Sequence, residues 1–276
     1  GVVPITEFSG EMTEILKLAD AACFLAKDEG RNRVHVFHEG DEEISKRRGE
    51  MQWITRINDA LENNLFDLWT QPIYSYCNTE SPQNFYECLI RLKHDEEIIL
   101  PGAFLPAAER YGLSAKIDRW VVNTFCNAVI EHPQLLDNSN LFFINLSGNS
   151  LGDKDFLAFL LERFNQDNIS FKNICFEITE TAAITNLSTA IEFIKTLKNK
   201  ECYFALDDFG SGLSSFTYLK NLPVDFLKID GVFVKDIVND KIAYSMVKSI
   251  NEIGKIMGKQ IIAESVENKQ IEKYLQ

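Results

Sequence analysis

Apolar positions change period twice along this chain. Gly1 to Ile5 is a short extended run, and Met12 to Lys27 repeats apolar residues at helical spacing, with Ile15, Leu16, Ala19, Ala22 and Cys23 on one face. Gly30 ends that helix, and Arg33 to Phe37 reads as a second short strand. Two short strands and one helix bury too little to stand alone. A charged stretch, Glu39 to Gly49, runs into a helix reaching about Asn63, along which Met51, Ile54, Ile57 and Leu61 recur. This predicts a connecting helix over 45–63, between a small segment 1–44 and a main domain 64–276.

From Leu65 onward, short apolar runs alternate with helical segments. The predicted strands are Leu65–Ile73, Tyr86–Leu92, Leu141–Leu146, Ile174–Thr179, Tyr203–Asp207, Phe226–Ile229 and Gln260–Ala263. The predicted helices between them include Ala103–Tyr111, Ile117–Glu131, Phe156–Asn165, Leu187–Lys198 and Ala243–Met257. Such alternation implies βα units on a parallel sheet curling toward a barrel. The link Ser75 to Gln83 is too short for a crossover helix, so the first two strands are expected to pair antiparallel.

Composition narrows the function. The 276 residues are 45% hydrophobic and 25% charged, ordinary for a globular chain with a core. No apolar run is long enough for a bilayer, and the N-terminus lacks a signal-peptide pattern, so a cytoplasmic fragment without membrane contact is expected. A net charge of −13 argues against a DNA or RNA polymer as partner. It leaves room for a small phosphorylated ligand if cations mask the acids. The six cysteines are dispersed, with no CxxC pair, and read as reduced core residues.

The candidate chemistry lies where polar residues meet strands. Asn145 follows LFFI, Glu177 and Glu180 lie in ICFEITE, Asp207 and Asp208 follow YFAL, Asp230 follows FLKI, Glu264 follows IIA, and Glu87 opens the second strand. In a βα barrel the C-terminal strand ends converge on one mouth, where Glu87, Asn145, Glu177, Asp207, Asp208 and Glu264 would meet. One such acid alone reads first as a helix N-cap or a surface ion pair; five acids and an amide at successive strand ends do not. Clustered carboxylates repel unless protonated or bridged by cations. All-oxygen ligands suit Mg²⁺ or Mn²⁺ rather than zinc, and the pair Asp207–Asp208 suggests a carboxylate shared by two metals. Lys228 lies inside a strand, where a lone ammonium is costly. It reads either as a structural ion pair or as a group orienting water or phosphate. Phe209 to Ser215 is either a plain connection or a gate over the site. Arg91 shares a strand face with Glu87 and suits a phosphate or a guanine edge, or a salt bridge. His35, His38, His94 and His132 receive no metal role.

These residues resemble the motif series of EAL domains. Gln71-Pro72-Ile73 resembles the family's QPI, and Glu87-Cys88-Leu89 stands where Glu-Ala-Leu occurs, with Arg91 following. Asn145-Leu146-Ser147, Glu177-Ile178-Thr179-Glu180, Asp207-Asp208-Phe209-Gly210-Ser211-Gly212, Leu227-Lys228-Ile229-Asp230 and Ala263-Glu264-Ser265-Val266-Glu267 resemble the later motifs. The departures are Cys88 for Ala, Ser265 for Gly, and a chain that stops before the family's last strand. Ala19-Asp20-Ala21-Ala22 and Ala26 to Asn32 resemble the end of a GGDEF domain, without its cyclase signature. The resemblance implies a TIM-like (β/α)8 barrel with an antiparallel first strand and its eighth strand missing, preceded by a GGDEF remnant over 1–44. It implies metal-dependent hydrolysis of cyclic di-GMP to linear pGpG in bacterial signalling, or a receptor that binds cyclic di-GMP without cleaving it. It further implies a homodimer and a tandem GGDEF–EAL parent that is cytoplasmic or membrane-anchored.

By the same resemblance, the residues matching Glu87, Asn145, Glu177 and Asp207 hold one metal ion. Those matching Asp207 and Asp208, with Glu264, serve the second. Lys228 positions water, and Glu264 is a base or metal partner. Gln71 and Arg91 contact ligand, and Glu180 and Glu267 brace the loop after Asp208.

Overall fold

The computed structural model describes residues 1–5, 12–28, 32–37, 42–76, 84–94, 97–137, 139–166, 169–210 and 216–276. In chain order the elements are α1 (Met12–Asp28), α2 (Glu42–Glu62), β1 (Phe66–Ile73), β2 (Asn84–His94), β3 (Glu97–Ile99), α3 (Pro101–Arg110), α4 (Ser114–Glu131), β4 (Asn140–Leu146), α5 (Gly148–Leu151) and α6 (Lys154–Gln166). There follow β5 (Ile174–Thr179), α7 (Glu180–Thr185), α8 (Leu187–Lys198), β6 (Tyr203–Phe209), α9 (Phe216–Leu219), β7 (Phe226–Ile229), α10 (Gly231–Asp236), α11 (Lys241–Ile256), β8 (Gln260–Ala263) and α12 (Lys269–Leu275). Two compact units emerge: Gly1–Leu65 with Leu92–Leu113, and Phe66–Arg91 with Ser114–Gln276.

In the first unit, α2 buries Ile57 and Ala60 completely, and its Trp53 ring meets Phe104 of α3 at 6.3 Å. The apolar side of α1 runs through Leu18, Ala22 and Ala26, whereas Leu16, expected on that face, is 62% exposed. The strands expected over Gly1–Ile5 and Arg33–Phe37 shrink to one parallel bridge, Val2 with Val36. Val2 N donates to His35 O at 2.9 Å and Phe37 N to Val2 O at 2.8 Å. Gly30 and His38 lie outside the described residues. The short strand β3, too brief to announce itself by period, folds back antiparallel on the end of β2, with Leu92 opposite Ile99.

The second unit carries a curled mixed sheet in the order β1-β2-β4-β5-β6-β7-β8. From β2 to β8 each step along this path is parallel. Lys93 N donates to Leu65 O at 2.8 Å, which sets the end of β2 against the start of β1 and makes that pair antiparallel. Among the described residues β1 and β8 are the edges of this path, so the expected barrel is seen as a curled, open sheet. The curl is strong, because Phe226 of β7 meets Phe143 of β4 at 5.1 Å and Phe85 of β2 at 5.9 Å across the concave side. Leu141, Cys175 and Ala205 complete that buried cluster, with Ile73 and Ile262 packed on it.

Helices cover the convex face. The α4 helix buries Ile117, Val121, Val122, Phe125 and Cys126, while α8 buries Ala190, Phe193, Ile194 and Leu197. Those sets repeat at three and four residues, as a one-sided helix must. The five described cysteines are all free thiols; Cys88, Cys126, Cys175 and Cys202 are buried as expected of core residues, Cys23 is half-buried, and Cys77 lies outside the described residues. No described helix is long and apolar enough to cross a membrane.

Candidate active site

One step along each inner strand face turns the apolar cluster into a polar layer. Side chains two apart on a strand share a face. Moving two residues up from Phe85, Phe143, Cys175, Ala205, Phe226 and Ile262 of the apolar floor reaches Glu87, Asn145, Glu177, Asp207, Lys228 and Glu264. On antiparallel β1 the equivalent step runs backward, from Ile73 to Gln71. Parallel register sets Asn145 opposite Glu177, while the stagger between strands puts Glu87 opposite Phe143 and Asp207 opposite Thr179. Glu87 sits within β2 rather than opening it, because Asn84 and Phe85 already pair with Asn140 and Leu141.

Lys228 is the hub of this layer and is 1% exposed. Its Nζ lies 2.8 Å from Glu264 Oε1, 3.1 Å from Glu177 Oε1, 3.3 Å from Asp207 Oδ2 and 3.4 Å from Glu87 Oε1. Burial pushes its pKa down, but Glu177, Asp207, Glu87 and Glu264 together carry it above the ordinary lysine value. It therefore stays charged. Asn145 Nδ2 donates to Glu87 Oε1 at 3.1 Å. All four acids around Lys228 come from different strands or strand ends, so the curl of the sheet is what brings them together.

One ammonium does not balance four acids. Glu177 is wholly buried, and neither of its oxygens has a well-directed hydrogen bond, its contact with Lys228 being off-axis. Burial, opposed by Lys228 and reinforced by Glu87 and Asp207, raises its pKa well above the ordinary carboxylate value. Glu264 is pushed up to about 7, by burial first, with Lys228 opposing and Asp207 adding to the rise. Asp208 is raised by burial and then by Asp207. Carboxylate oxygens of Asp207, Asp208 and Glu264 lie within 4.8 Å of one another. Orphaned buried oxygens facing a patch of surplus negative charge are what a hard divalent cation satisfies, and the all-oxygen donor set suits one.

Behind this layer a second set of contacts fixes the turns. Asp208 takes a left-handed backbone, φ 54°, and its N–H donates to Asp207 Oδ1 at 2.9 Å. Gly210, at φ 103°, donates its N–H to Glu180 Oε2 at 3.1 Å, and Tyr218 of α9 donates its hydroxyl to Glu180 Oε1. Glu180 is thus buried against the Phe209–Gly210 turn, while Ser211 to Ser215 lie outside the described residues. After β4, the buried Asp118 of α4 accepts from Ser147 N at 2.9 Å, Ser147 Oγ at 2.6 Å and Ser150 Oγ at 2.7 Å through one oxygen. That fixes the turn directly above Asn145.

Other predicted residues stand apart from the layer. Asp230 caps α10, accepting from Val232 N at 2.9 Å, which is the ordinary helix-cap role. Glu267 is exposed and faces Lys235 at 3.4 Å. Gln71 is exposed on β1, and Arg91 holds its guanidinium 5.6 Å from the centre of the Trp69 ring. Sequence reasoning missed Asp118, Tyr218 and Trp69. Only Trp69 left a signal, since it alternates with Gln71 on one strand face.

The EAL domain family model matches residues 54–276. The cyclic di-GMP phosphodiesterase PdeB of Shewanella oneidensis is 39% identical over 259 residues, covering 94% of this chain and 30% of that protein. The cyclic di-GMP phosphodiesterase PdeF of Escherichia coli is 34% identical over 225 residues, covering 81% of this chain and 30% of that protein. The chain thus spans under a third of the length of either relative. Among solved structures, the FimX EAL domain from Pseudomonas aeruginosa bound to c-di-GMP is 32% identical at a TM-score of 0.72, covering 81% of this chain and 89% of that one.

Proposed function

Because this chain belongs to the EAL domain family, we propose that it hydrolyses one phosphodiester bond of cyclic di-GMP and releases linear pGpG. The observation that carries this reading is the polar layer itself: four acids and an amide from separate strands around one buried ammonium, with Glu177 left short of partners. The names of PdeB and PdeF support the same substrate.

We assign Glu87, Asn145, Glu177 and Asp207 to one divalent ion, and Asp207 and Asp208, with Glu264, to a second; Mg²⁺ or Mn²⁺ fits their oxygens. Bound there, the ions supply an activated water and offset charge on the phosphate. Lys228 orients that water, and Glu264 holds the proton it sheds. Water adds to phosphorus, one P–O bond breaks, and the freed sugar oxygen takes up a proton, so one water is consumed. Gln71 and Arg91 hold the ligand, and Glu180 steadies the turn that carries Asp208, while Glu267 reaches Lys235 instead.

Around this site we propose a GGDEF-derived segment over 1–44, a connecting helix over 45–63 and a TIM-like EAL domain over 64–276, in a homodimeric cytoplasmic signalling protein. Incubation with cyclic di-GMP and Mg²⁺ or Mn²⁺, followed by chromatography, tests the activity. Conversion to pGpG that stops with EDTA is expected. Tight binding without product would point to a receptor instead, and no binding would end the proposal.

A further inference from the structure

The concave face of β1 continues past the groups assigned so far. From the mouth inward it presents Trp69, Gln71 and Ile73, of which Ile73 joins the apolar floor. Counting along both strands from the bond between Lys93 and Leu65 brings Gln71 level with Glu87, and Trp69 one step nearer the mouth, level with Leu89 and diagonal to Arg91. Two residues of strand rise about 7 Å, so the indole stands roughly that far above the level of Glu87. It is 48% exposed, though an indole usually spends most of its surface on packing. The Arg91 guanidinium, 5.6 Å from the ring centre, orients the indole while leaving nearly half of its surface open.

We infer that Trp69 is the stacking platform for one guanine of the substrate, an inference that rests on the cyclic di-GMP reading above. A purine offers a flat π-face and a hydrogen-bonding edge, and the two need different partners. The open indole matches the face. The amide of Gln71, on the same strand face, and the fork of Arg91 match an edge bearing both donors and acceptors. The phosphate end is served by the acid layer and its cations, one strand step deeper. Trp69 therefore sets affinity for the base and takes no part in bond cleavage.

Steady-state hydrolysis by Trp69→Ala and Trp69→Phe tests this. Trp69→Ala is expected to raise KM for cyclic di-GMP about 5- to 150-fold, the span of base–aromatic stacking, with kcat changed less than about threefold. Trp69→Phe keeps a π-face and is expected to restore KM to within about threefold. As an independent readout, rapid mixing of wild type with cyclic di-GMP should quench tryptophan fluorescence before turnover. In Trp69→Phe that quench should vanish although Trp53 and Trp120 remain. An unchanged KM in Trp69→Ala, or an undiminished quench in Trp69→Phe, would overturn the platform while leaving the phosphodiesterase reading intact. A wild type that neither binds nor cleaves cyclic di-GMP would take down both.

Discussion

Replacing Glu177 by glutamine should make the metal-free protein more stable while disabling it. Glu177 is fully buried, with two oxygens that lack directed hydrogen bonds. Its one cationic neighbour, Lys228, is shared with Glu87, Asp207 and Glu264. Glutamine keeps the shape, removes the charge, and gains an amide that can donate to a neighbouring acid. A buried polar group left unsatisfied costs about 1–3 kcal/mol, so relief of about 1–2 kcal/mol is the expected gain. For a chain of this size that is roughly 2–8 °C in Tm. The pH dependence has a definite sign. A carboxyl whose folded pKa is raised above 4.5 binds its proton more tightly when folded. Its cost is therefore absent below pH 4.5 and grows as pH rises toward the folded value. The advantage of Glu177→Gln over wild type should be small near pH 4.5 and larger at pH 8. Urea denaturation in EDTA at both values measures it, and the same variant in Mg²⁺ or Mn²⁺ should lose at least about 100-fold in turnover. If Glu177→Gln proves less stable than wild type in EDTA at pH 8, the Lys228 contact is a net stabiliser and the account of a strained acid is wrong.

Other outcomes follow from neighbouring contacts. Lys228→Met should cost about 3–5 kcal/mol in EDTA, since it strips the shared counter-charge from four carboxylates; urea midpoints in EDTA and in Mg²⁺ should show the ion recovering part of that loss. Ser265 holds a left-handed backbone, φ 53°, so Ser265→Gly should gain about 1 kcal/mol in thermal unfolding with turnover retained. Asp118→Asn faces an amide toward three donors and should cost about 2–3 kcal/mol, with weaker metal binding by calorimetry because the turn above Asn145 loosens.

Strands were the most legible part of this sequence. Ile174–Thr179, Phe226–Ile229 and Gln260–Ala263 fall where their apolar runs begin and end, because sheet strands covered on both faces need unbroken hydrophobic stretches. The helix Leu187–Lys198 was equally plain, started by Asn186, which accepts from Thr189 N. Helices of four to six residues such as α5, α7 and α9 were not, since a single turn carries no period. Within the site, strand-end acids could be read directly, whereas their common partner could not. That Lys228 touches four of them depends on curl and register, which no local pattern encodes. Asp118 was hidden for a related reason: it lies on a helix 29 residues before the Ser147 that it holds, and its spacing marks it only as part of a helix face.

The resident ammonium also separates two events in the life of the molecule. Many metal sites are disordered until the ion arrives, so that acquisition of the ion and attainment of the native state coincide. With Lys228 seated among the carboxylates, the chain's own ammonium offsets part of their repulsion, so the proposed ion is not the sole source of counter-charge during folding. Supply of the ion would then govern when the molecule works, while adding to the stability of a fold that already carries its own cation.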